Sequence, residues 1–323
     1  MSVVAVVMAT YNGQKFIIDQ LESIRMQSRA ADYVFIRDDG SSDNTVYLIT
    51  EYIKSNKLDK RWSLVKNPKN IGWRQNFINL INDASAVADF IFLSDQDDIW
   101  MENKIEMMLR YGEEVPEIGV LVSDYVLFGQ AGGAEKMRDI PSVSISDVLH
   151  VVNLDIENLV TKRDGSSFMI NRRIVPRILD LYSNVDMDPN GLPQAHDLAV
   201  WLSSLLSGNL YHLSVPTIEH RIHNTSTWAT EAKKINRASL LEVDANLINY
   251  YDLIARYINN NSSLGKEKFA QFLEEKISDL RIESQIVSAN APIVTLLSKS
   301  IRFSSFRRFV GTFVRVLNYG KRR

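Results

Sequence analysis

No cysteine occurs among the 323 residues. A disulfide framework, a zinc–thiolate site and a thiol nucleophile are therefore excluded. Nor does any apolar run reach the ~18–20 residues that a membrane-spanning helix needs. The apolar start Val3-Val4-Ala5-Val6-Val7 has no basic stretch before it and is too short for a secretory leader. These absences lead to the expectation of a cytoplasmic protein made without translocation. A Gly-rich loop able to cradle phosphates is also missing near the N-terminus, which argues against a nucleotidyltransferase. Acidic residues run out too: none follows Glu283. The chain up to that point carries a net −10, and the remainder carries eight basic residues and no acid. A mildly acidic body with a cationic tail points to an anionic surface as the partner of the tail.

What the chain has is apolar bulk, 45% of its residues, enough for one large core or two unequal ones. Its most informative stretch is Phe90-Ile91-Phe92-Leu93 followed by Ser94-Asp95-Gln96-Asp97-Asp98-Ile99-Trp100. The apolar run reads as a buried strand, and polar residues at the end of such a strand are where α/β sheets hold ligands. Three carboxylates within four positions suit a hard divalent cation, Mg²⁺ or Mn²⁺, and that cation suits a diphosphate. The competing reading is a helix N-cap at Asp97 or Asp98, with the helix starting near Ile99. A cap needs one carboxylate and leaves two more crowded beside it at a repulsive cost.

Around this stretch the first half of the chain alternates short apolar runs with helical patterns. Strands are expected at 3–8, 33–36, 62–65, 90–93 and 119–123, with helices at 14–27, 45–55, 73–81 and 103–111. Ser42 or Asp43 would cap the second helix. Such alternation implies right-handed crossovers and a mostly parallel sheet with helices on its faces. The pattern then loosens. Gln130-Ala131-Gly132-Gly133 reads as a loop, 167–170 as a short strand, 195–206 as a helix and 210–215 as an edge strand ending at Pro216. Beyond Trp228 two long amphipathic helices, 239–257 and 266–287, flank an Asn/Ser-rich break.

Several polar motifs fall at the expected carboxyl ends of strands. Thr10-Tyr11-Asn12-Gly13 offers a ring to stack on a planar base and polar groups for ribose or phosphate, although Asn-Gly is also a plain turn. In Asp38-Asp39-Gly40-Ser41-Ser42-Asp43 a carboxylate can accept the imide N–H of uracil or thymine. Asn70-Ile71-Gly72-Trp73-Arg74 supplies amides and a cation. His196-Asp197 opens a helix, where a capped helix start is the ordinary explanation. Arg221-Ile222-His223-Asn224 follows the last strand.

Taken in order from Val3 to about Thr227, these motifs resemble glycosyltransferase family 2, whose members are inverting enzymes with the GT-A fold. The Ser-Asp-Gln-Asp-Asp form, the Asn-Ile-Gly-Trp segment and the late Arg-x-His-Asn are most similar to its rhamnosyltransferase-like branch, which builds O-antigen, capsule and cell-wall polysaccharides. The resemblance implies a GT-A catalytic domain over 1–228 and a helical C-terminal region over 229–323. It also implies roles for particular residues. Asp39 would bind the base N–H and Tyr11 would frame the base, with Thr10 and Asn12 beside it. Asp95 would hold the ribose, Asp97 and Asp98 with His223 the divalent metal, and Arg221, His223 and Arg74 the donor diphosphate. Asp197 would be the catalytic base. Ala9 stands where some members place a hydroxyl, so a side-chain contact to the base is not expected there.

The implied reaction moves a sugar, L-rhamnose from dTDP-rhamnose in the first reading, onto a glycan acceptor linked to a polyprenyl diphosphate. A UDP-hexose donor, or a non-catalytic subunit of the same fold, is the alternative. From Ile301 onward, Phe303, Phe306, Phe309, Val310, Phe313 and Leu317 recur near helical spacing with arginines between them. This basic amphipathic pattern, about 298–318, can lie in a bilayer interface, placing the enzyme peripherally on the inner face of the cell membrane. The competing reading is a helix docked on the catalytic domain or in a homodimer, with its arginines solvated. Nucleic acid is a poor fit, because the basic residues are confined to one apolar helix.

Overall fold

The computed structural model describes residues 1–129, 137–223 and 240–288. The 130–133 loop, Asn224, and the amphipathic pattern near 298–318 lie outside the described residues. The chain divides into two compact units, Met1–Ser183 with Gln194–Ser226, and Asn184–Pro193 with Thr227–Arg323.

The first unit begins with strand–helix alternation. Strand β1 (Val4–Thr10) is buried along nearly its whole length and leads to helix α1 (Ile17–Arg25), which turns Ile17, Leu21 and Ile24 onto the sheet. Strand β2 (Tyr33–Asp38), helix α2 (Thr45–Ser55), strand β3 (Trp62–Lys66), helix α3 (Trp73–Ser85) and strand β4 (Phe90–Ser94) repeat the pattern. Strands β1, β2, β3 and β4 pair in parallel, as right-handed crossover units do. The N-cap position of α2 is Asn44; Asp43 sits one residue earlier, where its Oδ1 accepts the Thr45 N–H at 3.0 Å.

Beyond β4 the architecture departs from a simple doubly wound sheet. A two-residue strand β5 (Ile99–Trp100) pairs antiparallel with Ile218 and Glu219, and helix α4 (Lys104–Glu114) starts only afterwards, with Asn103 at its N-cap position. The helix-cap reading of Asp97 and Asp98 therefore fails, because the residues after them are extended. Strands β6 (Val120–Gly129), β7 (Ser142–Ser144), β8 (Leu149–Val152) and β9 (Phe168–Asn171) follow, then helices α5 (Val175–Asn184) and α6 (His196–Ser207), and strand β10 (Leu210–Ile222). The sheet order is β3-β2-β1-β4-β9-β6-β10-β8-β7. Strand β9 runs antiparallel to both neighbours and so joins two parallel groups. The result is the α/β architecture, with its mostly parallel central sheet, that the sequence pattern implied.

Strand β10 corrects an expectation. It is neither an edge strand nor ended by Pro216: it lies between β6 and β8 and runs on to Ile222. Proline donates no ladder hydrogen bond, and the pairing with β6 shifts register on both sides of Pro216, so the missing N–H falls in a bulge. That continuation carries His220, Arg221 and His223 to the end of β4.

The second unit contains two long helices, α7 (Leu240–Asn260) and α8 (Glu267–Val287), joined by a short break in which Gly265 takes the left-handed region, φ +61°. Tyr250, Ile254, Ile258, Leu273 and Ile277 are buried at the spacing of one helix face.

Candidate active site

The site is built from loops at the carboxyl ends of β1, β2, β4 and β10 and from the start of α6, the usual position for a ligand crevice in an α/β sheet. After β1, Tyr11 is half exposed and its backbone is clamped by one side chain. The Gln96 amide accepts from Tyr11 N at 3.0 Å and donates to Tyr11 O at 3.1 Å. Asn12 takes the left-handed conformation, φ +48°; its N–H donates to Ser41 Oγ at 2.8 Å and its Oδ1 accepts from Ser42 N at 2.9 Å. Thr10 Oγ1 donates to Asp38 at 3.1 Å. A Cβ on Gly13 would lie 2.2 Å from Gln96 Oε1, so a larger residue there would displace the amide that clamps Tyr11.

The two carboxylates after β2 divide the work between them. Asp38 organises its own loop, accepting from Gly40 N, Ser41 N and Ser41 Oγ. Asp39 is buried and reaches across to the loop before α3, with Oδ1 accepting from Asn67 Nδ2 and Ile71 N and Oδ2 from Gly72 N, each at 2.9 Å. Oδ2 keeps acceptor capacity beyond that single bond.

The acidic loop is where charge is concentrated. Asp97 Oδ2 lies 2.7 Å from His223 Nε2, and Asp97 O accepts from Arg221 Nε at 2.8 Å. The Arg221 guanidinium is sandwiched between the rings of Phe16 and Phe128, 4.6 and 4.5 Å from their centres. Asp98 is turned fully inward. Its Oδ1 accepts from Arg221 N at 3.0 Å and lies 2.9 Å from His220 Nδ1. Burial pushes the Asp98 carboxyl up, but the His220 contact outweighs it and holds the group below the usual range. The His220 ring is drawn up to about 10 against its own burial, chiefly by Asp98 and then by Asp164 and Asp95, so it stands as a cation. Burial, with the charges of Asp98 and Asp97 beside it, holds Asp95 well above the usual carboxylate range.

Such crowding of carboxylates fits a hard divalent cation. Among the described residues no three His, Asp or Glu groups are drawn together as a closed metal site. Asp97 and His223 are partly exposed, at 20% and 14%, whereas Asp98 is fully buried. One or two protein ligands completed by substrate phosphates is a common way for Mg²⁺-like ions to bind.

On the other wall, Asp197 occupies the first turn of α6, where its Oδ1 accepts from Leu198 N at 2.8 Å. Burial pushes its carboxyl up to about 6, and Asp164 adds to the push. His196 beside it is buried, stacked on Phe77 with ring centres 4.0 Å apart, and held down at about 3 by burial and then by the Arg74 charge, so it is a neutral ring. Arg74 packs on Trp73 at 4.3 Å, and its charge is felt at His196 and Asp197. Arg74 therefore stands beside the candidate base.

The two walls meet. His220 lies 2.9 Å from Asp98 and 3.8 Å from Asp164. Asp164 precedes Gly165, at which a Cβ would sit 3.3 Å from the Asp197 Cβ and 2.9 Å from His196 Nε2. Three residues here escaped sequence reasoning: His220, Asp164 and Lys104. His220 stands immediately before the late Arg-x-His-Asn motif and drew no role, and Asp164 had no motif at all. Lys104 carried a signal, since it shares a helix face with the buried Ile105, Met108 and Leu109.

Comparison with known proteins agrees with this fold. Residues 5–175, just over half of the chain, match Glycosyl transferase family 2. A dTDP-rhamnosyl transferase, RfbG of Shigella flexneri, is 39% identical over 101 residues, which are 31% of this chain and 34% of that relative's length. Among solved structures, S. aureus TarS 1-349 in complex with UDP-GlcNAc superposes with a TM-score of 0.56 at 15% identity, covering 99% of this chain and 92% of that one. A Pyrobaculum calidifontis mannosyltransferase in complex with GDP-Man and Mn²⁺ superposes with a TM-score of 0.51 at 13% identity, over 98% and 84%. The fold is thus that of the GT-A glycosyltransferases, and the chain belongs to glycosyl transferase family 2.

Proposed function

We propose that the protein is a metal-dependent inverting transferase that moves L-rhamnose from dTDP-rhamnose to a lipid-linked or polysaccharide glycan in bacterial surface polysaccharide synthesis. The observation that carries this reading is the run from Asp98 to His220 at 2.9 Å and from His220 to Asp164 at 3.8 Å, with Gly165, the next residue, lying against Asp197. It supports a reading in which the donor diphosphate and a carboxyl of raised basicity share one crevice. Tyr11, Asn12 and the loop held by Asp39 frame the base, Asp95 the ribose, and Arg221 the diphosphate. Asp97 and His223 would hold Mn²⁺ or Mg²⁺, and Asp98 supports them from behind. When bound, the cation offsets charge growing on the leaving nucleoside diphosphate. Arg221, fixed between two phenyl rings, adds a preorganised positive charge there. Asp197 takes the proton from the acceptor hydroxyl as that oxygen attacks the anomeric carbon from the face opposite the leaving group. Similarity to the Shigella flexneri enzyme supports rhamnose as the transferred sugar. Similarity to TarS bound to UDP-GlcNAc supports the alternative of a UDP-sugar donor in the same crevice.

The test is turnover by purified protein with Mn²⁺ or Mg²⁺ of dTDP-rhamnose, UDP-galactose, UDP-glucose and UDP-N-acetylglucosamine. Turnover of dTDP-rhamnose alone is expected. Turnover of a UDP-sugar in its place would keep the chemistry and discard rhamnose; binding of none would favour a non-catalytic subunit.

The cationic, acid-free tail after Glu283 favours a peripheral site on the inner membrane face, where each cation near anionic lipid adds ~1 kcal/mol. No helix among the described residues is long and apolar enough to cross a membrane. Co-sedimentation with phosphatidylglycerol vesicles is expected at low salt and to be lost at high salt or on truncation after Ser288. Retention on neutral vesicles, or a stable dimer in place of vesicle binding, would overturn the membrane reading.

A further inference from the structure

Lys104 is fully buried in the first turn of α4. An ammonium has three N–H donors. Here Nζ makes one hydrogen bond, 2.6 Å to the carbonyl oxygen of Ser166, and lies 4.4 Å from the centre of the Trp100 ring. Burial pushes the ammonium down to about 7, and the charges of Asp98 and Asp95 pull against it. Packing alone has no need of this charge, because a methionine fills similar space without the desolvation cost. The consequence of the charge lies in what Nζ touches.

Ser166 is the middle residue of the short 3-10 turn Gly165–Ser167. The turn is tied on its far side, where both Ser167 N and Ser167 Oγ donate to Asp164 O, at 3.0 and 2.7 Å. Its Gly165 lies against His196 and Asp197, close enough that a Cβ would meet both. Lys104, meanwhile, follows the acidic loop by only six residues. Its side chain spans from the element that continues the metal-binding wall to the turn that backs the base.

We infer that Lys104 is a positioning residue for transfer: through the Ser166 carbonyl it fixes the Gly165–Ser167 turn, and with it Asp164 and Asp197, relative to the acidic loop. The inference rests on the reading above that Asp197 takes the acceptor proton. Lys104 touches no substrate. A base displaced by about 1 Å can cost up to ~10²-fold in rate.

Lys104→Met tests it, with Lys104→Gln as a second variant should the first fold poorly. Each is measured for sugar transfer, for hydrolysis of the same donor by water, for donor KM, and for amide hydrogen exchange across 164–168. The expected result is a transfer-to-hydrolysis ratio lowered by ~10-fold or more, a donor KM within about threefold of wild type, and faster exchange confined to the turn. A merely structural role lowers transfer and hydrolysis together with the folded fraction and leaves their ratio unchanged, which would overturn the inference. So would a raised donor KM at unchanged ratio, which would put Lys104 on the donor side. The exchange measurement needs no substrate. A wild type inactive on every donor would sink the transferase reading, while exchange would still decide whether Lys104 holds the turn.

Discussion

Asp197→Asn is expected to lower sugar transfer by ~10²–10⁴-fold, the usual worth of a general base, and at the same time to raise the melting temperature at neutral pH. The two effects share a cause. Burial moves the Asp197 carboxyl from its ordinary 3.8 to about 6. The folded chain therefore holds this proton more tightly than the unfolded chain does. Stability from this group is fully present below about pH 4, falls as pH rises from about 4 to about 6, and stays lost above that. At 1.36 kcal/mol per unit the shift corresponds to an upper figure of about 3 kcal/mol, reduced by the solvent that still reaches the carboxyl. Asparagine keeps an Oδ1 to accept the Leu198 N–H and carries no charge. Scanning calorimetry of both proteins at pH 4 and pH 7.5 should show a variant more stable by a few degrees at the higher pH only. The wild-type rate should fall about tenfold per unit as pH drops below about 6. A variant that kept its transfer rate would move the base elsewhere, with Asp164 the first group to examine.

Asp97→Ala is the second large effect. Donor turnover should fall by ~10²-fold or more, since even groups one shell behind a metal change affinity or activity by 10–100-fold. The fold should tolerate it, because the lost side chain is part exposed and its close partner is His223 Nε2 at 2.7 Å. Binding of Mn²⁺ followed by electron paramagnetic resonance, in the presence of the nucleoside diphosphate, should weaken in parallel with turnover while the melting temperature stays near that of wild type. Undiminished Mn²⁺ affinity in this variant would assign the cation to Asp95 or Asp98. Asp98 starts from a poor position for that task, with Oδ1 already serving Arg221 N and His220.

Much of this was readable in the residues. The β1 to β4 alternation is locally encoded, because each strand is a short apolar run and each helix a 3.6-residue stripe, and the observed bounds differ from the expected ones by a few residues at most. The acidic loop was legible for the same reason. What escaped depends on partners far away in sequence. Pro216 looked like a terminus because a proline in a ladder is penalised, and the bulge that absorbs it exists only in the pairing with β6. The strand at Ile99 and Trp100 was not expected, since a two-residue strand has no periodicity of its own; Ile218 and Glu219 make it one. Lys104 and Asp98 show the same limit for side chains. Charge spacing marks a residue as polar and says nothing of which way the fold turns it.

The antiparallel β9, set between β4 and β6, has a consequence for biosynthesis. The first hundred residues can leave the ribosome and pair β1, β2, β3 and β4 in parallel, yet the acidic loop they carry has no Arg221 N–H or His220 to face Asp98. Those groups arrive more than a hundred residues later, at the far end of β10, after β9 and β6 have widened the sheet. The crevice is thus among the last parts of the first unit to be completed, and a nascent chain bears its carboxylates long before it can use them. Tight Mn²⁺ binding would then serve as a reporter of finished folding, gained in one step when the last strand docks.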